Sequence, residues 1–268
     1  MSRVTLATLR KMKEAGEKFA CLTAYDSTFA ALLDEAGVEV LLVGDSLGMV
    51  IQGRETTIPV TLEEMIYHTR CVARGNRRAL LMVDIPFMAD ADPGLALQSA
   101  GRLMKEGGAH VVKLEGGDRQ LETVRRLNEH GIPVCAHLGL QPQSVHKLGG
   151  YRVQGRDEES ARCIRQEAQR LQEAGADMLL LECVPASLGA EITRSATIPV
   201  IGIGAGPACD AQVLVLYDML GITPGGRPRF SHDFLTEGSP EDCGIAAAVR
   251  RYVEAVKSGS FPADRHCF

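Results

Sequence analysis

The feature that most constrains the fold is a repeated unit: a compact apolar run, a polar or Gly/Pro-rich loop, and an amphipathic helix. Eight of these runs have the length of buried strands, at residues 19–25, 38–46, 79–86, 110–115, 132–140, 177–185, 198–206 and 212–220. Strands that are apolar on both faces and separated by helices form parallel sheets covered on both sides. Because no Gly-rich phosphate turn follows an early strand, the pattern favours a closed (β/α)8 TIM barrel over a doubly wound sheet.

Both ends of the chain predict additional helices. Thr5 can cap a first helix in which Leu6, Leu9 and Met12 recur at helical spacing, and we expect it to lie across one end of the barrel. Residues 245–256 predict a C-terminal helix. With no linker or second core visible, residues 1–268 are interpreted as one domain.

Composition and net charge indicate which kinds of molecule the protein can bind and in which compartment it works. A net charge of -5 provides no basic stripe for nucleic acid, which favours small molecules as partners. The eight cysteines are scattered without a C-x-x-C pair, which argues against zinc and for a reducing, cytoplasmic setting. No signal peptide or membrane-spanning segment is predicted.

Two connections are longer than a barrel needs, at residues 47–60 after the second strand and 141–156 after the fifth. Both should lie at the C-terminal face of the barrel, where active sites are built. Long loops there serve as lids or subunit contacts, or are variable decoration.

Five neighbouring predicted strands end in polar side chains: Asp45 with Ser46, Asp84, Lys113 with Glu115, His137, and Glu182. Each has a purely structural alternative. Asp45 and Ser46 can be ordinary turn and N-cap residues, and Asp84 can close a turn. Lys113 and Glu115 can form an ion pair, His137 can be a hydrogen-bonded core histidine, and Glu182 can be a paired buried acid. Because the strand ends of a barrel share one mouth, we expect these side chains to converge there.

Four carboxylates at one mouth are costly to bury beside a single lysine, and a divalent cation would offset their charge. Oxygen-only ligation by carboxylates, water and substrate is typical of Mg2+. Such a site suits a 2-oxo acid, whose keto and carboxylate oxygens chelate the metal while a base deprotonates the adjacent carbon to a metal-stabilised enolate. Glu182, which follows the apolar residues 178–181, is the predicted base.

Seven motifs resemble the successive signatures of the ketopantoate (3-methyl-2-oxobutanoate) hydroxymethyltransferase family, in order along the chain: residues 23–26, 42–48, 112–117, 133–140, 149–156, 181–185 and 201–206. The resemblance implies a barrel of the phosphoenolpyruvate/pyruvate type. It also implies transfer of a one-carbon unit from 5,10-methylenetetrahydrofolate to C3 of 3-methyl-2-oxobutanoate. The product is 2-dehydropantoate, on the route to pantothenate and coenzyme A.

The resemblance also assigns roles to single residues. Asp45, Asp84 and Glu115 match the magnesium site of the family, and Glu182 matches its proton acceptor. The residues that match the family's contacts to the oxo acid are Asp45, Ser46, Asp84 and Lys113. His137 is expected to hydrogen-bond the substrate or enolate. A cytoplasmic homo-oligomer, typically a decamer, is implied as well.

Two details concern the second substrate. Ala211 stands where the family pattern has glycine, which matters if that backbone contacts folate or needs positive φ. Gly202, Gly204 and Gly206 lack the dinucleotide spacing and follow the seventh strand. They indicate room for the pterin or tight packing, although a bound phosphate is conceivable from position alone.

Two rival functions remain open. A lyase or mutase on the same barrel would share the acidic mouth, but such enzymes commonly carry a cysteine on a mobile loop, and neither long loop contains one. A metabolite sensor would bind an oxo acid without turnover, and the presence of Glu182 and Asp45 argues against it.

Overall fold

The computed structural model describes residues 3–238 and 243–268. Within them, eight parallel strands close into a barrel in chain order, and β8 pairs with β1. The strands are β1 Phe19–Thr23, β2 Val40–Val43, β3 Leu80–Asp84, β4 Val111–Glu115, β5 Val134–Gly139, β6 Met178–Glu182, β7 Val200–Ile203 and β8 Ala211–Leu214. The predicted (β/α)8 barrel is confirmed.

The first of the helices begins directly after Thr5, as predicted. The helices are α1 Leu6–Ala15, α2 Ser27–Glu35, α3 Leu47–Val50, α4 Leu62–Gly75, α5 Pro93–Arg102, α6 Leu121–Glu129, α7 Val145–Leu148, α8 Glu158–Glu173, α9 Ala186–Ser195, α10 Leu216–Met219 and α11 Ile245–Ser258. Thr5 and Asp92 accept backbone N–H groups as N-caps, and Thr61 and Glu64 form a reciprocal capping box. In the parts of the chain given above, no helix has the length and apolar character to cross a membrane.

Alternating residues of the strands face two separate apolar layers. One face packs inside the barrel, as Phe19, Met82 and Met178 do, and the other packs under the surrounding helices, as Leu41 and Leu181 do. Because both faces are buried, the strands are mostly apolar, and most of their polar side chains lie at or near their C-terminal ends.

The two terminal helices complete the barrel. Leu9 of α1 is fully buried against the interior layer, so α1 closes the end of the barrel opposite the site, as predicted. At the other terminus, α11 packs against β1 and α2, and Tyr252 donates its hydroxyl to the carbonyls of Cys21 and Gln212. These bonds fasten α11 over the seam between β8 and β1.

The observed strands are shorter than most of the predicted runs, and three segments contain helix that was not predicted. The run 212–220 is strand only to Leu214, and Leu216–Met219 is helical, because short apolar runs do not distinguish a buried strand from a buried helix. Loop 47–60 begins with α3, and loop 141–156 contains a 3-10 turn at Pro142–Ser144 followed by α7.

Two helical glycines allow a matched stability test. A Cβ at Gly75 would lie 2.1 Å from the carbonyl oxygen of Ser27, whereas a Cβ at Gly101 would meet nothing within 4 Å. We expect Gly75→Ala to lower the free energy of unfolding by about 2 kcal/mol, in the range for overpacking. Gly101→Ala should raise it by about 0.5–1 kcal/mol, because alanine loses less backbone entropy in a helix. Urea denaturation measures both, and equal effects would contradict the packing of α4 on α2.

Candidate active site

The inward faces of β3 to β6 change from apolar to polar at their C-terminal ends. Asp84 follows Met82 on the inner face of β3, and Glu182 follows Leu180 on that of β6. These ends open into a cavity of about 860 Å³ that is lined by all seven predicted site residues: Asp45, Ser46, Asp84, Lys113, Glu115, His137 and Glu182. The alternation along each strand therefore brings the predicted residues together.

Lys113 pairs with Asp84 rather than with its strand neighbour Glu115. Its Nζ lies 2.5 Å from Asp84 Oδ1, and both side chains are about 5% exposed. Burial alone would lower the pKa of Lys113, but the charges of Asp84 and Glu115 outweigh burial and raise it above its usual range. Asp84 also accepts the backbone N–H of Asp45 at 3.0 Å, so it does more than close a turn.

Asp45 and Glu115 are carboxyl groups that this environment keeps from ionising easily. Desolvation, reinforced by the charge of Asp84, raises the pKa of Asp45 to about 7. Desolvation and the charge of Asp45 also raise the pKa of Glu115 well above its usual range. The buried lysine therefore does not compensate the acids around it, and additional positive charge would stabilise their ionised forms.

The donor set fits a hard divalent cation, although its ligands are not preassembled. In the described residues, no three His, Cys, Asp or Glu side chains are already arranged to hold one ion. Mg2+ needs only one or two carboxylates, with water and substrate completing the octahedron. The buried carboxyl oxygens of Asp45, Asp84 and Glu115, of which Asp84 is paired with Lys113, meet that requirement.

Glu182 and His137 form a second pair at the edge of the acidic cluster. His137 Nε2 lies 3.3 Å from Glu182 Oε2, and its Nδ1 lies 3.7 Å from Glu115 Oε1. Burial raises the pKa of Glu182 to about 8, and burial and the charge of Lys113 lower the pKa of His137 well below its usual value. The imidazole is therefore neutral at pH 7, while Glu182 is a carboxyl group whose pKa suits a general base.

The environment of His137 argues against a satisfied core histidine. Both of its ring nitrogens are buried, and neither makes a hydrogen bond of good geometry with a residue of the described ranges. Buried polar atoms in native proteins are almost always hydrogen-bonded, so these nitrogens have capacity for a bound ligand.

Ser46 is oriented by Tyr25, a residue for which no role was predicted. Its Oγ lies 2.9 Å from the Tyr25 hydroxyl, which is itself buried. A Cβ at Gly44 would lie 2.6 Å from the same Oγ, so the glycine two residues earlier leaves the space that Ser46 occupies.

Gln143 is the principal residue that the sequence analysis missed. Its Nε2 donates to Asp45 Oδ2 at 2.9 Å and to the carbonyl of Ile85 at 3.0 Å, and its backbone N–H donates to Glu115 Oε2 at 3.0 Å. It thus holds two of the proposed metal ligands. Nothing in the local sequence around a polar residue in a 3-10 turn predicts such distant partners. The only indication was that Gln143 lies in the long loop after β5, which was expected at the C-terminal face.

Close packing explains Gly202, which lies in β7, and Gly206, which follows it. A Cβ at Gly202 would lie 2.8 Å from Cys209 Sγ, and one at Gly206 would lie 2.6 Å from the Ala186 side chain. Ala211 is the buried first residue of β8 and does not have the positive φ that would have required glycine. The Ala-for-Gly departure is therefore accommodated without backbone strain.

The chain is similar to known proteins along nearly its whole length. A model of the family described as "Ketopantoate hydroxymethyltransferase" matches residues 3–264. A Nitrosococcus oceani protein named 3-methyl-2-oxobutanoate hydroxymethyltransferase is 62% identical over 98% of both chains. An Alkalilimnicola ehrlichii protein of the same name is 58% identical over 99% of this chain and 94% of its own.

Structural similarity extends further than sequence similarity. A crystal structure of a putative phosphonomutase from Burkholderia cenocepacia has a TM-score of 0.63 at 17% identity, covering 80% of this chain and 92% of its own. At that identity the likeness concerns the fold alone. The family match and the identities of 62% and 58% over nearly the whole chain confirm the resemblance read from the motifs: this chain is an enzyme of the ketopantoate hydroxymethyltransferase family.

Proposed function

We propose that this transferase moves the one-carbon unit of 5,10-methylenetetrahydrofolate to C3 of 3-methyl-2-oxobutanoate. Water supplies the hydroxyl oxygen, the products are 2-dehydropantoate and tetrahydrofolate, and the step opens the route to pantothenate and coenzyme A. The observation that carries the proposal is Glu182, a carboxyl group of raised pKa that faces the same cavity as the acidic cluster.

Asp45, Asp84 and Glu115 are the residues that would hold Mg2+, by direct ligation or through water. When bound, the cation supplies positive charge beside the keto oxygen, where negative charge develops as C3 loses its proton. Lys113 holds Asp84 in place by their ion pair and adds a fixed positive charge. The Ser46 hydroxyl, oriented by Tyr25, is a donor for the carboxylate of the oxo acid.

Glu182 takes the C3 proton as general base. Water adds to the methylene carbon of the donor, and both of its C–N bonds break, which releases tetrahydrofolate and leaves the one-carbon unit as an aldehyde. C3 of the enolate bonds to the aldehyde carbon, and the resulting alkoxide takes back the proton from Glu182. His137, neutral and without a good hydrogen bond among the described residues, donates to the substrate or enolate from a ring nitrogen. Cys183 follows Glu182 with a φ of 47°, and its carbonyl accepts the N–H of Gln154 at 2.9 Å. This sharp turn fixes the end of β6 against the loop after β5.

Two assays test the proposal. The purified protein should form 2-dehydropantoate from 3-methyl-2-oxobutanoate, 5,10-methylenetetrahydrofolate and Mg2+. Deuterium exchange at C3 of the oxo acid, with and without the donor, should occur as a separate half-reaction. A lyase or mutase would cleave or rearrange its substrate instead, and a sensor would bind the oxo acid without exchange.

Gln143→Leu should weaken Mg2+ binding while leaving turnover at saturating Mg2+ largely intact. The change removes the amide donor from Asp45 Oδ2 and leaves the backbone N–H of residue 143 on Glu115. Loss of such a supporting hydrogen bond typically costs about 10- to 100-fold in metal affinity. Calorimetric titration with Mg2+ measures it, and Gln166→Leu on the exposed face of α8 is the control. Equal affinities in the two variants would contradict the role of Gln143.

We also propose that the enzyme is cytoplasmic and assembles as a homo-oligomer, a decamer by family resemblance. Its free cysteines are consistent with a reducing compartment. Light scattering coupled to size-exclusion chromatography would measure the assembly directly.

A further inference from the structure

The cavity has two chemically different halves. Strands β2 to β6 deliver the acids, Lys113 and His137, whereas β7, β8 and the segment after β8 deliver Ile203, Val213 and Val215. Because the strands follow one another around a closed barrel, the polar and apolar sets occupy different arcs of the mouth. A volume of about 860 Å³ is in the range that accommodates drug-sized ligands, well beyond a small oxo acid.

Two phenylalanine rings form the wall of the apolar arc. Phe230 and Phe268 line the cavity, and a Cβ at Gly204 would lie 3.0 Å from Phe268 Cε2 and 3.1 Å from Phe230 Cδ1. Gly204 has a φ of 61°, so glycine satisfies both the backbone and the space that the rings need. The guanidinium carbon of Arg229 lies 5.4 Å from the centroid of the Phe268 ring. The end of β7 is thus built to admit two aromatic side chains.

Positive charge borders the same cavity. Arg152 and Arg156, from the loop after β5, line it and are exposed. Neither side chain forms an ion pair with a residue that the structure describes. The cavity therefore combines an acidic floor, an aromatic wall and an arginine rim, and the last two serve no purpose for a small acid bound at the floor.

We propose that the arc formed by Phe230 and Phe268 binds the planar heterocycle of the one-carbon donor, and that Arg152 and Arg156 bind the carboxylates of its glutamyl tail. The inference rests on the proposed function and assigns its second substrate to residues. Glu182 lies on β6, beside β7, where the two arcs meet. A donor on the apolar arc thus presents its methylene carbon beside the carbon that Glu182 deprotonates.

Deuterium exchange without the donor distinguishes loss of donor binding from damage to the acidic floor, because exchange needs only the oxo acid and the residues of the floor. In Phe230→Ala, the KM for 5,10-methylenetetrahydrofolate should rise about tenfold or more, because stacking on an aromatic side chain is worth about 1–3 kcal/mol and each 1.4 kcal/mol is tenfold. In Arg156→Gln the same KM should rise because the proposed contact with a carboxylate of the glutamyl tail is lost. Exchange at C3 without donor should stay within about twofold of the parent. Tyr67→Ala and Arg162→Gln, exposed and outside the cavity, are the matched controls.

A second readout needs no turnover. Calorimetric binding of tetrahydrofolate with one and with three glutamates should show a preference for the longer tail, which the double variant Arg152→Gln, Arg156→Gln loses. Equal decreases in exchange and transfer, or an unchanged donor KM and tail preference, would overturn the subsite. If the unmutated enzyme shows no C3 exchange, the proposed function itself fails, and the subsite fails with it.

Discussion

Glu182→Gln is expected to abolish deuterium exchange at C3 of 3-methyl-2-oxobutanoate while leaving binding of the oxo acid and Mg2+ largely intact. The amide keeps the shape of the side chain but cannot accept the proton, and a positioned general base is worth about 10²- to 10⁴-fold in rate. Exchange followed by NMR measures the loss, and calorimetry measures binding. Glu254→Gln, on the exposed side of α11, is the matched control.

The direction in which the exchange rate changes with pH is a second test of Glu182 as the base. Burial raises the pKa of Glu182 to about 8, and only its ionised form accepts a proton. The rate in the unmutated enzyme should therefore rise with pH along an acid limb, and positive charge bound beside Glu182 should move that limb to lower pH. Exchange that persists in Glu182→Gln, or a rate that falls as pH rises through the limb, would assign the base elsewhere.

The residues at the strand ends were predictable because side chains alternate between the two faces of a strand, so every second residue points into the barrel. Once a strand is known to be inward-facing at Met82, Asp84 must face inward too, and a closed ring of parallel strands must bring Asp84 and Glu182 to one mouth. Local pattern and one topological rule suffice, which is why the floor of the cavity was predicted residue by residue.

The residues that were missed reach the site from irregular segments. Gln143 bonds to Asp45, 98 positions away, and Phe268 lines the cavity from the end of the segment that follows α11. No periodicity specifies where such side chains end, because their placement depends on tertiary contacts such as the N–H of Ala186 bonding to the Phe268 carbonyl. The partner of Lys113 was missed for a related reason: distances between strands, not spacing along one, select Asp84 over Glu115.

Removing the divalent cation is expected to abolish both exchange and transfer, and restoring Mg2+ should recover them. Chelator treatment followed by readdition tests this, with a monovalent salt at equal ionic strength as the control. The positive charge that the acidic floor lacks is supplied by the ion, so the chain alone, with Lys113 as its buried cation beside Asp84, should not stabilise the enolate. Full exchange in the chelated protein would contradict the metal site.

The same cation should stabilise the fold, and more strongly at higher pH. Burial raises the pKa of Asp45 to about 7 and that of Glu115 well above its usual range, so the metal-free folded chain holds protons that the unfolded chain has released. Its free energy of unfolding therefore falls as pH rises from about 4, where the unfolded carboxyl groups ionise, to about 7, where Asp45 ionises in the folded chain. Mg2+ binds the ionised carboxylates and offsets that loss, by about 2.7 kcal/mol at 100 times its Kd. The Tm increase caused by Mg2+ should thus be larger at pH 8 than at pH 6 in differential scanning calorimetry, and an equal increase at both would mean that the ion binds away from Asp45 and Glu115.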